Sequence, residues 1–226
     1  MASWAEEKTK LKESDETFAQ ETLGAYKATT TVKVSEELLY DSVFNLEAYI
    51  SQEFARRIGS LEEEAFLVGD GTGKPTGVFN SAKTGVTAAS AEAITFDEIF
   101  DLFYSLKSAY RKNGIWICND TTIKALRRIK DANGQYLWQP SVSANTPDML
   151  SNRPIKTSSY APEIGTGKTP IIFGDFSYYW IADRQGRSFK KLAEIYSETD
   201  EVGFKTTERV DGKLLLPEAV QALKMA

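Results

Sequence analysis

Histidine is absent from the 226 residues, and cysteine occurs once, as Cys118. Without an imidazole the chain lacks both the side chain that most often serves as a general base near neutral pH and the one that most often ligates zinc. Ser-His-Asp and Cys-His catalysis are excluded, and a lone thiol forms neither an intrachain disulfide nor a multi-cysteine zinc site. No apolar run approaches the ~20 residues that span a bilayer. The first eighteen residues, MASWAEEKTKLKESDETF, carry too much charge for a signal peptide, so the expectation is a soluble, cytoplasmic product with no membrane partner. Positive charge is in short supply as well. The 27 Lys+Arg against 32 Asp+Glu leave a net charge of −5, which is not the overall basic footprint of a dedicated DNA-binding domain.

What is present is ordinary globular material, 42% hydrophobic and 12% aromatic, in a chain long enough to bury a sizeable core. After a polar beginning, Leu23 to Val34 alternates Thr and Val with other residues as a half-exposed strand does. It reads as one arm of a hairpin without its second arm. From Ser35 the period lengthens: Leu46, Tyr49, Ile50, Phe54, Ile58, Leu61 and Ala65 recur at threes and fours, predicting one long helix from about Leu46 to Val68 with Gly69 as its stop. At 1.5 Å per residue that helix runs about 34 Å.

A Gly-rich segment from Val68 to Gly77 follows, then a small-residue stretch through Ala93. Thr95 and Glu98 have the spacing of a capping box, opening a helix whose buried face is Ile99, Leu102, Phe103, Leu106 and Tyr110 and which ends at Asn113-Gly114. Ile115 to Cys118 reads as a central strand, and Asn119 or Asp120 caps a third helix carrying Ile123, Leu126 and Ile129. Asn133-Gly134 marks a turn. Pro140 to Pro162, rich in Pro, Ser and Asn, reads as a long loop or irregular strand. Strand signals return at Ile171–Phe173, Tyr178–Ile181, Phe189–Tyr196, Gly203–Val210 and Lys213–Leu216. Helix and strand in this order argue for an α/β or α+β layer.

Two segments invite a phosphate-loop reading, and both fail on context. Gly167-Lys168-Thr169 has Pro162 where the first glycine belongs and a strand after it, while Gly73-Lys74 has Val68 at the first glycine and Pro75 in place of Ser/Thr. Glu62, Glu63 and Glu64 are consecutive on a helix, so their carboxylates diverge by about 100° each; a solvated face is expected rather than acid–base work. Asp70 reads as an Asx-turn former, and Cys118 as an inert small hydrophobe. No catalytic, cofactor-binding or metal site is expected. Gly69, Asp70, Gly71, Gly73, Pro75, Gly77, Asp211 and Gly212 are expected to make structural turns.

The ordered signatures Glu13-Ser14-Asp15-x-Thr17-Phe18, Val34-Ser35-x-x-Leu38-Leu39-x-Asp41-Ser42, Glu63-x-Ala65-Phe66-Leu67-x-Gly69-Asp70-Gly71-x-Gly73-x-Pro75-x-Gly77, Asp131-x-Asn133-Gly134-x-Tyr136-Leu137, Phe173-Gly174-Asp175-Phe176, Ile181-Ala182-Asp183-Arg184 and Arg209-Val210-Asp211-Gly212 run across nearly the whole chain. Their order resembles the major capsid proteins of tailed bacteriophages and prophages. The resemblance implies an α+β, Hong Kong 97-type capsid fold with a long spine helix, a peripheral β domain and an axial α/β domain. It further implies a structural subunit, not an enzyme, whose copies form pentamers and hexamers of an icosahedral shell around double-stranded DNA. By the same resemblance residues 1–34 are the descending half of an extended loop, 35–90 a peripheral domain with the spine helix, 91–188 the axial domain, 189–212 a return to the peripheral domain and 213–226 the last axial strand.

The resemblance also implies partners: further copies of the chain, packaged DNA held by weak contacts, and scaffold, portal and protease proteins, in the virion and in the host cytoplasm before assembly. Subunit contacts are expected at Trp4, Lys12, Phe18, Tyr26 and Trp138 and in the Pro140–Pro162 loop. An N-terminal arm and the ascending half of the loop, usual in the family, would precede Trp4, so a truncated or naturally shortened coat product is expected, whose half loop leaves strand edges unpaired. Some relatives join subunits by a Lys–Asn isopeptide bond that a Glu promotes. Alignment on Glu208-Arg209 puts Asp200 at the Asn and Thr207 at the Glu, with Leu11 near the Lys between Lys10 and Lys12, so no crosslink is expected. Two alternatives stand beside the coat reading: the shell of an encapsulin-like nanocompartment, and a nucleotide-dependent enzyme using Lys168 or Lys74.

Overall fold

A computed structural model of the chain describes residues 22–131, 133–138 and 148–226. Among these, strand β1 (Tyr26–Ser35) leads through the short helix α1 (Glu36–Asp41) into α2 (Leu46–Val68). The 23-residue helix has the bounds its periodicity predicts, with Asn45 Oδ1 accepting from Ala48 N at 3.0 Å at its start. Its buried stripe is Leu46, Ile50, Phe54, Ile58 and Ala65. Tyr49 and Leu61, expected on that stripe, are about half exposed: Tyr49 sits at the margin of the buried arc, and Leu61 lines an open hollow with Tyr26, Val68 and Pro75.

The chain continues through α3 (Val78–Ser81), β2 (Lys83–Thr87), α4 (Phe96–Ser105), the single turn α5 (Ser108–Arg111), β3 (Ile115–Cys118) and α6 (Asp120–Arg127). The capping box is formed: Thr95 Oγ1 accepts from Glu98 N, and Glu98 accepts from Thr95 N and also from Ala89 N, each at 2.7 Å. One helix ending at Asn113-Gly114 is expected. It breaks instead at Leu106, whose backbone is extended, and Arg111 Nε donates to the freed Leu106 carbonyl at 2.9 Å. Asn119 caps α6 as anticipated, accepting from Thr121 N.

The chain from Asp148 to Pro162 is more regular than its composition suggests. Strands β4 (Met149–Leu150) and β5 (Arg153–Thr157) form a hairpin across Ser151-Asn152, both with positive φ, the geometry of a tight I′-type turn. Then come β6 (Ile171–Gly174), β7 (Tyr179–Asp183), β8 (Ser188–Leu192), β9 (Glu201–Leu214) and β10 (Val220–Lys224).

Two sheets result. The six-stranded sheet has the order β2-β10-β6-β3-β5-β4. Its period-2 alternation sends Trp116, Cys118, Ile171, Phe173 and Leu223 to one face, where α4 and α6 cover them through Ile99, Leu102 and Leu126. The Trp116 and Phe173 rings stack at 4.2 Å. Ile172, Val220 and Ala222 point the other way, against Val78, Phe79 and Leu214. The second sheet is organised on the 14-residue β9, with β1 along one edge and β7 and β8 along the other.

Three expectations change here. The arm read as lacking its partner pairs with β9 over ten residues, Tyr26↔Val210 to Ser35↔Glu201; its partner lies far along the chain, out of reach of local reading. Asp211 and Gly212, expected in a turn, lie inside β9 opposite Ala182 and Ile181. Gly212 is required by packing rather than by a bend, since a Cβ there would come within 2.6 Å of Tyr179 Oη and 2.8 Å of Phe66 Cδ1. Residues 179–183, expected with the 91–188 unit, join β9 as β7.

Candidate assembly surfaces

The Gly-rich segment is a compact loop at the end of α2. Asp70 Oδ1 accepts from Thr72 N at 2.9 Å, the expected Asx turn, and Gly71 and Gly73 have φ of 78° and 70°. Gly69 caps α2 without left-handed backbone, at φ −59°. It is a glycine because a Cβ would meet the Pro75 carbonyl at 2.2 Å. Gly77 N donates to Gly69 O, and Asn80 Nδ2 donates to the Val68 and Gly69 carbonyls. Thr76 N donates to Gly212 O and Tyr26 Oη to Gly71 O. Gly69, Asp70, Gly71, Gly73, Pro75 and Gly77 thus make one loop held between β1 and β9.

Neither lysine of the phosphate-loop reading has the setting that chemistry requires. Lys74 Nζ lies 3.9 Å from Asp70. Lys168 sits in a turn tied to the C-terminal residues, its carbonyl accepting from Met225 N, and strand β6 follows at Ile171 where a helix would have to begin. Cys118 is fully buried, and burial pushes its thiol up to about 12, so it stays protonated and inert. Among the described residues no group of His, Cys, Asp and Glu is arranged to hold a metal ion.

The glutamates of α2 are not simply a solvated face. Glu63 accepts from Ser158 Oγ at 2.6 Å. Glu62 shares Arg187 with Glu208: Arg187 Nη2 donates to Glu62 Oε2 at 2.8 Å and Arg187 Nε to Glu208 Oε2 at 2.7 Å. Glu208 is buried on β9 and Glu62 nearly so. Burial, then the charge of Glu208, raises the Glu62 carboxyl above its ordinary value. The cluster fastens α2 to the chain between β7 and β8. Sequence alone offers no sign of it, because Glu62 lies more than a hundred residues from Arg187 and Glu208.

Of the residues expected at subunit contacts, Trp4, Lys12 and Phe18 lie outside the described residues. Tyr26 is partly buried. Trp138 is buried in its own chain, its Nε1 donating to Met149 O at 2.9 Å beneath the Arg127 guanidinium. Exposure falls elsewhere: Leu38, Tyr40, Val43, Phe44 and Tyr49, on α1, the link after it and the start of α2, are large, apolar and open to solvent. That many within twelve residues is the mark of a contact surface.

An α+β chain built on one long helix and two sheets, with large apolar side chains left open to solvent from Leu38 to Tyr49, has the form of a subunit that other copies cover. The sequence matches the phage capsid family over residues 1–225, and the chain belongs to that family; its fold is the Hong Kong 97-type capsid fold. It is 27% identical over 214 residues to the major capsid protein of Klebsiella oxytoca phage phiKO2, covering 88% of this chain and 49% of that protein. The chain therefore spans about half the length of that relative. Among solved structures, the capsid of a native GTA particle superimposes with a TM-score of 0.88 at 30% identity, over all of this chain and 81% of the other. The holo-SrpI encapsulin complex of Synechococcus elongatus PCC 7942 shares the fold at a TM-score of 0.67 and 14% identity, over 88% of this chain and 73% of that one.

Proposed function

We propose that this chain is a phage or prophage coat subunit that self-associates into the pentamers and hexamers of an icosahedral shell enclosing double-stranded DNA. The observation that carries the reading is the family match along essentially the whole chain. The apolar surface from Leu38 to Tyr49 supports it, since a monomer gains nothing by exposing it. In this reading the four-stranded sheet with α2 is the peripheral domain, residues 1–34 contribute to its extended loop, and the six-stranded sheet with α4 and α6 is the axial domain that lines the symmetry axes. The net charge of −5 suits a container that holds its genome by weak contacts and lets it slide during packaging. Scaffold, portal and protease proteins are the partners such a shell requires, and its places are the host cytoplasm and then the virion.

The second reading, a nanocompartment shell, has the fold of the encapsulin in its favour. The stronger likeness to the GTA capsid favours the coat. Analysis of purified particles separates the two: packaged duplex DNA is the expected content, and a stoichiometric protein cargo without nucleic acid would overturn the coat reading.

A further inference from the structure

The four-stranded sheet has a second face, turned away from α2. Val32, Val34, Val202 and Phe204 point toward the helix, so by strand alternation Lys27, Lys205, Arg209 and Lys190 stand on the opposite side. The pairing register sets like charges against each other there. Lys27 lies directly opposite Arg209, and Lys190 directly opposite Lys205. Directly opposed residues of one charge repel across the ladder, and among the described residues none of these four makes an ion pair. Serine and threonine fill the positions between, Thr29 and Ser188 both opposite Thr207. Leu192 and the exposed Ile195 give one end of a hollow of about 400 Å³ an apolar wall. A face with two repulsive pairs and an apolar edge suits an occupant that is acidic and partly apolar.

The chain carries such a surface. From Val34 to Ala55 there are five carboxylates and no lysine or arginine. Glu47 is paired with Lys191 and Glu53 with Arg56 and Arg57, which leaves Glu36, Glu37 and Asp41 of α1 without an ion pair among the described residues. They surround Tyr40, 80% exposed, and Val43, fully exposed. The two surfaces cannot meet within one molecule. Leu39 anchors α1 to the helix side of the sheet, against the cluster of Val32, Val34 and Phe204, and the lysines are on the other side.

We propose that the Lys27–Lys190–Lys205–Arg209 face of one copy receives α1 and the start of α2, Glu36 to Tyr49, of a second copy. The inference rests on the coat reading and adds to it the two patches that meet. Because they are different patches, the contact is heterologous, and it repeats from copy to copy until a ring closes or a lattice forms. Duplex DNA would answer the lysines but leave Leu192, Ile195 and the apolar side of α1 without partners, so a second copy fits better.

The test uses the full chain with a photo-crosslinking phenylalanine analogue replacing Tyr40, irradiated across a concentration series alongside light scattering. The expected result is intermolecular crosslinking to peptides within 188–207. Reversal variants Lys190→Glu/Lys205→Glu and Glu36→Lys/Glu37→Lys/Asp41→Lys should each weaken association at least tenfold and, mixed, recover it together, with circular dichroism confirming that both fold. Assembly with crosslinks elsewhere, or folded variants that assemble like the parent, would overturn the contact while leaving the coat reading intact. A chain that stays monomeric at every concentration contradicts the coat reading itself. Salt-sensitive capture of duplex DNA by the parent, lost in Lys190→Glu/Lys205→Glu, would reassign the face to nucleic acid.

Discussion

Arg187 and Glu208 form a charge-assisted pair, Nε to Oε2 at 2.7 Å, with the carboxylate buried on β9 and the guanidinium half in solvent. The same guanidinium holds Glu62 of α2. One cation thus serves two carboxylates at the junction of helix and sheet. Removing it strands a buried charge, which costs more than an ordinary surface pair is worth. Because Arg187 is half exposed, water recovers part of that loss, and Arg187→Ala should cost about 2 kcal/mol. Urea unfolding measures it as a lowered midpoint at unchanged slope; an unmoved midpoint would remove the cluster from the stability account.

The pH dependence of the same cluster has a definite sign. Glu62 binds its proton more tightly in the folded chain than its reference value of 4.5, through burial and then Glu208. Its contribution is therefore fully present below the unfolded value and is lost as pH rises through the raised one. Glu62→Gln removes that dependence. The melting temperature of the variant relative to the parent should climb as pH goes from 4.5 to 7, and a difference independent of pH would contradict the assignment.

Gly212 is held by two aromatic side chains. A methyl group there meets Tyr179 Oη and the Phe66 ring, and overpacking of that kind costs about 1–3 kcal/mol. Tyr179→Phe forfeits the hydrogen bond to Thr76 O, 2.9 Å, worth about 1 kcal/mol, but also clears the oxygen. The cost of Gly212→Ala should consequently be smaller in the Tyr179→Phe background. Additive costs in a double-mutant cycle would show that the clash is not with the hydroxyl.

No covalent ladder should form between subunits. Asp200, in left-handed backbone just before β9, presents a carboxylate, and Thr207 stands on the exposed face of the sheet. A lysine amine displaces ammonia from an amide with a nearby carboxylic acid to shuttle the proton; at the two aligned positions Asp200 offers no amide and Thr207 no acid. Assembled material boiled in denaturant should run as a single band at 25.2 kDa, and a ladder of multiples would refute this.

Much of the local structure was legible because local forces decide it. The bounds of α2 follow from Leu46, Ile50, Phe54 and Ile58, and the start of α4 from Thr95 and Glu98. The break at Leu106 was not legible, because an arginine five residues on takes over its carbonyl. Long-range pairing was the other blind spot. β1 finds β9 across more than 160 residues, Arg187 gathers two glutamates from distant elements, and Asp211-Gly212 looks like a turn until β7 pairs beside it. The exposed apolar residues of α1 were readable as composition but not as surface, since only the fold decides which hydrophobics find cover.

The central claim is that the chain exists to bind its own copies. Light scattering across a concentration series, with negative-stain electron microscopy of the largest fraction, tests it most directly. The account predicts mass rising steeply with concentration and rings or shells of uniform size on the grid. A constant mass of 25.2 kDa at every concentration, with no particles, would contradict it.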